Sequence, residues 1–273
     1  MKQILYTFIL IFLVSSCEDV IDIEVPNSEP RLVVDASYEV YFNEGPVSIE
    51  GYVRLTKSAP FFDEDVPPVN DATVFITNLE DNSIVNFELS ENPGFYIPVE
   101  GALITPEFNT SYELTIIYED EIYKATTQLF PSVPIDNIEQ GDGTLFGGDE
   151  TEIILTFTDN ESRDDFYLFD FDFNLLEVSE DRFYQGETFT FSYFYENMLD
   201  NQEVTIKLLG IDERYFNYAE ILIEQSQQEG GNPFLTVPAV LRGNIINTTN
   251  PDNYAHGYFN LSEANRINFI IQK

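Results

Sequence analysis

The chain has 273 residues, with 49 Asp and Glu against 12 Lys and Arg, and its formal net charge at pH 7 is −37. Such a charge repels nucleic acid and anionic lipid head groups, so we expect no nucleic-acid partner and no electrostatic attachment to a membrane. Hydrophobic residues make up 43% of the chain, which is enough for a packed core and excludes general disorder. The acidic surplus indicates either a solvated surface, which we favour, or a surface that binds cations or basic partners.

The N-terminus has the order of a secretory signal: a charged residue, an apolar run and small residues before a cysteine. The apolar run of about 11 residues is too short to cross ~30 Å of hydrocarbon as a helix. Val14-Ser15-Ser16-Cys17 resembles a bacterial lipobox, which implies a signal peptide at residues 1–16 and acylation of Cys17. Because Cys17 is the only cysteine, no intramolecular disulfide can form, and packing has to hold the fold.

Residues 17–30 are predicted to form an acidic tether between the lipid and the fold. Their prolines and carboxylates favour an extended chain, although the alternation of Ile and Val could also add an edge strand. Glu18-Asp19, directly after Cys17, resembles the surface-export signal of Bacteroidetes lipoproteins. This resemblance implies anchoring in the outer membrane with display at the cell surface, and a periplasm-facing anchor is the alternative.

The segment 31–131 is predicted to be a β-sandwich domain of immunoglobulin or transthyretin type, because apolar residues alternate with polar ones in short runs. The stretch Asn70–Val74, with the later Gly94-Phe95-Tyr96, resembles carboxypeptidase-regulatory-like sandwiches. The loops at 80–83 and 119–121 each join two runs into a predicted hairpin. The predicted strands are 32–36, 47–55, 72–77, 84–89, 94–97, 112–118 and 122–127.

The segment 131–150 is rich in proline and glycine and is predicted to be a linker or mobile loop between two domains. The second domain, residues 132–273, is predicted to be β-rich with one amphipathic helix at about 213–229. Asp212 is the candidate N-cap, and Gly230-Gly231 would end the helix. The predicted strands are 152–157, 166–175, 189–195 and 203–209, and the predicted apolar helix face is Tyr215, Ala219, Leu222 and Ile223.

Several segments, taken in their order and spacing, resemble the Bacteroidetes lipoprotein family known as domain-of-unknown-function family 4249. Members have no assigned activity and are commonly encoded beside outer-membrane TonB-dependent transporters that carry a carboxypeptidase-regulatory-like domain. The resemblance therefore implies an accessory surface lipoprotein of an uptake system, and it transfers no catalytic residue. The segments are Cys17-Glu18, Leu32–Asp35, Tyr215–Gln225, Gly231–Phe234, Pro238–Ile245 and Gly257–Phe259.

These segments also have structural explanations. We expect Gly243 and Gly257 to permit a backbone conformation or a close approach that a Cβ atom would block. Asn232-Pro233 should form an extended turn after the helix, and Asn244 should satisfy backbone groups in a loop.

The sequence offers little catalytic chemistry. His256 is the only histidine, so a Ser-His-Asp triad would have to use it, and no Gly-x-Ser-x-Gly motif accompanies it. One histidine and an acylated cysteine exclude a zinc site of histidine or cysteine type. A glycosidase-like carboxylate pair leaves no fixed sequence spacing, so it stays open as an alternative.

Calcium is the metal that the acidic loops would suit, because carboxylates are the hard oxygen ligands that it prefers. The first candidates are Asp159, Glu161, Asp164 and Asp165, followed by the clusters 63–65 and Asp142 with 149–150. No cluster has the EF-hand spacing, and solvated loop acids are the favoured interpretation. We therefore expect no cofactor other than a structural Ca²⁺ ion at most.

Phe189, Phe191, Tyr193 and Tyr195 share one face of a predicted strand. They could form a platform that stacks a sugar or a peptide, although alternating aromatic residues in a β-protein more often pack in a core.

The hypothesis is a non-enzymatic, lipid-anchored outer-membrane accessory protein that binds a nutrient or docks on a TonB-dependent transporter. The alternatives are a surface hydrolase that uses paired carboxylates and an adhesion or structural module.

Overall fold

The computed structural model describes residues 29–60, 63, 65–101, 105–145, 147–226 and 240–273. The predictions for the signal peptide at 1–16, for Cys17 and for most of the tether lie outside these residues. So do the predicted end of the helix and the turn at Asn232-Pro233. Within the described residues the fold is mainly β with one α-helix, which confirms the predicted fold class.

The strands are short and connected by tight turns over most of the chain. The first seven are β1 Leu32–Tyr41, β2 Ser48–Lys57, β3 Thr73–Asn78, β4 Ile84–Leu89, β5 Phe95–Pro98, β6 Ser111–Tyr118 and β7 Glu121–Gln128. The remaining strands are β8 Ile135–Gln140, β9 Thr151–Thr158, β10 Phe166–Asp170, β11 Leu176–Glu180, β12 Thr188–Tyr195, β13 Glu203–Ile211, β14 Ile246–Asn247 and β15 His256–Ile270. A 3-10 turn covers Asp181–Phe183, and the helix α1 covers Glu213–Ser226.

The strands form a large sheet and a small one. The large sheet has the order β11-β10-β13-β15-β1-β2-β5-β4-β3-β6-β7-β14, and the small one the order β12-β9-β8. The large sheet folds over on itself, because Phe130, which follows β7 in the chain, forms backbone hydrogen bonds with β15. There the Phe130 amide donates to the Leu261 carbonyl at 3.0 Å, and the Glu263 amide donates to the Phe130 carbonyl at 2.8 Å. The concave face of the curled sheet therefore encloses its own core.

β15 takes part in both halves of the structure. Residues 256–263 run parallel to β1, with Ala36 opposite Phe259, and residues 264–270 pair antiparallel with β13. One core lies inside the curled sheet and receives Phe259 and Leu261 from β15. A second core lies between the small sheet and the region of β10 and β13, and the chain passes from one core to the other between Leu129 and Val133.

Both predicted hairpins are confirmed, since β3 pairs antiparallel with β4 and β6 with β7. The predicted N-cap is also confirmed: the Asp212 carboxylate accepts the Tyr215 amide at 2.6 Å. On the predicted helix face, Ala219 is buried but Leu222 is 45% exposed. The prediction is wrong for Leu222 but right for Tyr215, which packs against the sheet together with Phe216.

Several strand assignments differ from the prediction, and β11 and β14 have no counterpart among the predicted strands. The predicted linker contains β8, which pairs with β9 and places Ile135 and Ile138 against the second core. The predicted strand 166–175 ends at Asp170, because residues 172–174 adopt positive φ angles in a turn. The long strand β15 has no counterpart among the predicted strands.

Two glycines allow the close approach at the start of β15. A Cβ on Gly257, whose φ is +103°, would lie 1.7 Å from the Val34 carbonyl oxygen of β1. A Cβ on Gly243 would lie 1.6 Å from the Gly257 carbonyl oxygen. Beside them the Asn244 side chain donates to the Phe259 carbonyl and accepts the Phe259 amide, both at 2.8 Å. These contacts confirm the structural roles expected for all three residues.

Substitution of Gly257 by alanine should therefore prevent the β1–β15 pairing. We expect Gly257→Ala to lower the free energy of unfolding by more than about 3 kcal/mol or to abolish folding, because both the positive φ and the contact with Val34 oppose a side chain. Gly45→Ala is the matched control, since no atom lies within 4 Å of its added methyl group. Urea unfolding followed by circular dichroism measures both variants, and equal stability of the two would contradict this account of β15.

Candidate functional site

An open groove of about 270 Å³ lies where the two sheets diverge, between the edge strands β11 and β12. Its volume is near the lower end of small-molecule sites, which are typically about 300–1,000 Å³. Aromatic rings form most of its apolar wall. The lining residues are Phe169 from β10, Glu177, Val178 and Ser179 from β11, and Phe189, Phe191, Ser192 and Tyr193 from β12.

The alternation of β12 explains why its rings face the groove. Successive side chains of a strand point to opposite faces, so Phe189, Phe191 and Tyr193 share one face. Phe189, at the open end, is 36% exposed, whereas Tyr195 at the other end is 1% exposed. The Tyr195 hydroxyl donates to the Phe171 carbonyl at 2.8 Å inside the core. Of the four aromatic residues proposed as a platform, three line the groove and Tyr195 packs in the core.

Neighbouring rings hold these side chains in place. Tyr193 stacks on Phe171 with centroids 3.9 Å apart and planes 7° from parallel. Phe191 meets Phe169 edge to face at 5.0 Å, and Phe189 stacks on the buried Tyr184 at 4.6 Å. Such ring pairs contribute an orientation-dependent attraction in addition to the free energy gained by burying the rings. The apolar wall is therefore held in place by contacts among the rings themselves.

The polar groups of the groove are few. The Ser179 and Tyr184 hydroxyls share a hydrogen bond of 2.7 Å. The Ser192 hydroxyl lies on the opposite face of β12 from the rings and donates to Glu152 there. Glu177 is the one carboxylate among the lining residues, and desolvation by its surroundings raises its pKa above the ordinary value. Burial, followed by the charge of Glu177, raises the pKa of the Tyr193 hydroxyl to about 12. Tyr193 is therefore a neutral hydrogen-bonding group at physiological pH.

The structure separates the four first candidates for calcium. Asp159 and Asp165 are buried and both accept the Tyr167 hydroxyl, at 2.6 and 3.0 Å. Asp165 also accepts the Arg163 guanidinium at 2.6 and 2.7 Å. Glu161 and Asp164 are exposed and do not join them. Among the described residues, no group of three or more His, Cys, Asp or Glu side chains could hold a metal ion.

The two buried carboxylates, with Asp181, instead connect the loops at the end of the groove. Asp159 accepts the Gly186 amide at 2.7 Å, and Asp181 accepts the Asp165 amide at 2.5 Å. Burial is the main cause that raises the pKa of both Asp165 and Asp181. The loop 181–187 carries Tyr184, on which Phe189 stacks, so this polar cluster positions one end of the groove. Sequence spacing could not have revealed it, because its members meet through tertiary contacts.

Other candidate positions have local structural partners. Glu150 accepts the amides of Gly147 and Gly148, both at 2.9 Å, within its own loop. One ring nitrogen of His256 lies 3.1 Å from the Leu241 carbonyl oxygen. A small cavity in the first core measures about 20 Å³, room for about one water molecule, beside the buried Ser83 hydroxyl.

Fold and site together define a mainly β protein with an aromatic groove between two sheet edges. The chain belongs to the family described as "Domain of unknown function (DUF4249)", which it matches over residues 18–267. No curated protein matches the sequence. Within the part of the chain that the structure describes, no helix is long and apolar enough to cross a membrane.

The role of the polar cluster can be measured with two tyrosine variants that each lose a buried hydroxyl. Tyr167→Phe leaves Asp159 and Asp165 without their shared donor, whereas Tyr195→Phe leaves a neutral carbonyl. We expect Tyr167→Phe to cost about 2 kcal/mol of unfolding free energy and Tyr195→Phe about 1 kcal/mol, because a hydrogen bond to a carboxylate contributes more than one to a neutral carbonyl. Urea unfolding at pH 7 compares them. An equal or smaller loss for Tyr167→Phe would show that the cluster does not depend on this hydroxyl.

Proposed function

We propose that the protein is a non-enzymatic, lipid-anchored accessory protein of the outer membrane that captures a nutrient in the groove between β11 and β12. The observation that carries the proposal is the aromatic wall that Phe189, Phe191 and Tyr193 form along the groove. Aromatic side chains with an accessible face are favourable contact surfaces for ligands, because they bury a large area at a low cost in side-chain entropy. The lipobox-like sequence that ends at Cys17 supports the anchor, and Glu18-Asp19 directly after it supports the surface display.

A binding role fits the groove better than hydrolysis does. Glycoside hydrolysis by two carboxylates needs a pair about 5–9.5 Å apart on either side of the scissile bond. The groove contributes one carboxylate, Glu177, and the buried carboxylates of Asp159 and Asp165 are engaged by Tyr167 and Arg163. The proposal therefore includes binding without turnover.

Phe189→Ala tests the groove as the binding site. The full chain, purified in detergent with its lipid, would be screened against oligosaccharides and peptides, and binding constants measured by calorimetry. Removal of the Phe189 ring should weaken any ligand of the wild-type protein about tenfold, because a stacking surface is lost. Phe183→Ala is the matched control, since this ring is 86% exposed and does not line the groove. Equal effects of the two substitutions would remove the groove from the proposal, and turnover of a bound compound would favour the hydrolase.

Cys17→Ala tests the anchor and the uptake role together. The unacylated chain should leave the membrane fraction, because a non-lipidated chain of this net charge has no attraction to the bilayer. Tagged wild-type protein should recover a TonB-dependent transporter from native membranes, and Cys17→Ala should not. Unchanged membrane fractionation of Cys17→Ala would refute the lipid anchor. Repeated recovery of the anchored protein without a transporter would refute the accessory role.

A further inference from the structure

We infer that the groove binds an extended peptide, which adds to the free edge of β12 as a further strand of the small sheet. The inference rests on the proposed function, since it names the ligand of the same groove. β12 is the last strand of the order β12-β9-β8, and its described residues pair only with β9. In an antiparallel edge strand, alternate residues direct both N–H and C=O away from the neighbouring strand. The edge of β12 therefore presents hydrogen-bonding groups along the groove.

β12 also lacks the features by which proteins protect sheet edges. Such features are charged side chains, proline, bulges and very short strands. The sequence of β12, Thr-Phe-Thr-Phe-Ser-Tyr-Phe-Tyr, contains no charge and no proline over eight residues. Its pairing with β9 runs without a register shift. An uncharged edge of this length is unusual in a chain with 49 acidic residues, so its composition points to a pairing partner.

The other three sheet edges are protected. β8, the opposite edge of the small sheet, has a bulge between Ile135 and Asn137 and carries Asp136 and Glu139. β14, one edge of the large sheet, is two residues long. β11, the other edge, carries Glu177 and Glu180 in five residues. The open edge is therefore a local property of β12, the strand that also supplies most of the aromatic wall.

The polar chemistry of the groove favours a peptide over a glycan. A sugar would need side-chain partners for many hydroxyl groups, and the Ser179 hydroxyl in the groove already bonds to Tyr184. A peptide backbone would instead use the outward N–H and C=O groups of the edge, as in other cases of strand addition. The main-chain bonds then provide affinity, and the groove selects side chains.

The groove also specifies which side chains fit. Alternate residues of an added strand would face the rings of Phe189, Phe191 and Tyr193, and about 270 Å³ accommodates apolar groups there. Glu177 at the wall and the net charge of −37 favour a basic residue and oppose an acidic peptide. The ligand class is thus an extended peptide with apolar residues at every second position and at least one Lys or Arg.

The experiment compares synthetic eight-residue peptides binding to the full lipidated chain in detergent. Each peptide alternates Leu or Phe with Lys or Thr, and two derivatives carry N-methyl groups on one or the other set of alternate residues. N-methylation removes backbone donors without changing the protein or its folding. One derivative should bind more than about tenfold more weakly, because it loses several hydrogen bonds at once, and the other should bind like the parent. Hydrogen exchange should show peptide-dependent protection of alternate β12 amides.

The remaining outcomes separate this inference from the proposed function. Binding of oligosaccharides but not peptides would overturn the inference and leave a nutrient-binding groove. Peptide binding that is insensitive to both N-methyl patterns, without protection of β12 amides, would also overturn it. Concentration-dependent protection of these amides in the free protein would mean that a second copy occupies the edge, again against the inference. Failure of every peptide and glycan to bind would count against the proposed function as well.

Discussion

The pairing of β15 with β1 is the interaction on which the rest of the structure depends. The final strand passes through the large sheet, with residues 256–263 beside β1 and residues 264–270 beside β13. It completes the first core through Phe259 and Leu261 and extends into the sheet that covers the second core. Because this pairing joins the two ends of the described chain, its loop-closure cost has to be met by packing in both cores.

Two ion pairs lie close to the place where β15 meets β1 and β13. Lys207 on β13 lies 2.9 Å from Glu39 of β1, and the Arg266 guanidinium contacts Glu44 at 2.8 Å while it covers the ring of Tyr41. Few basic residues are available in this chain, and these two neutralise carboxylates where three strands meet. The acidic surplus is therefore not spread evenly. Some carboxylates pair at this junction, and those behind the groove are held by hydroxyl and amide donors and by the Arg163 guanidinium.

The groove results from the way in which the small sheet covers the large one. β9 and β8 close over the second core, while β12 and β11 stay apart at the open side and leave aromatic side chains accessible. The alternation of aromatic and small polar residues in the sequence was enough to place Phe189, Phe191 and Tyr193 on one face of a strand. It could not show that Tyr195 lies in the core, because burial along a strand depends on the loops at its ends. The buried cluster of Asp159 and its neighbours was unpredictable for a similar reason: a loop acid has the same local sequence whether it binds solvent, metal or a buried tyrosine.

The sequence by itself determined the mainly β class, the two hairpins and the helix with its cap at Asp212. Each of these depends on neighbouring residues, through side-chain alternation, turn chemistry or local hydrogen bonds. Only the tertiary structure decided the strand at 135–140, the parallel pairing of β15 and the position of β12 at a sheet edge that no other described strand covers. These features depend on which distant segments become neighbours, and a local pattern contains no information about its partner.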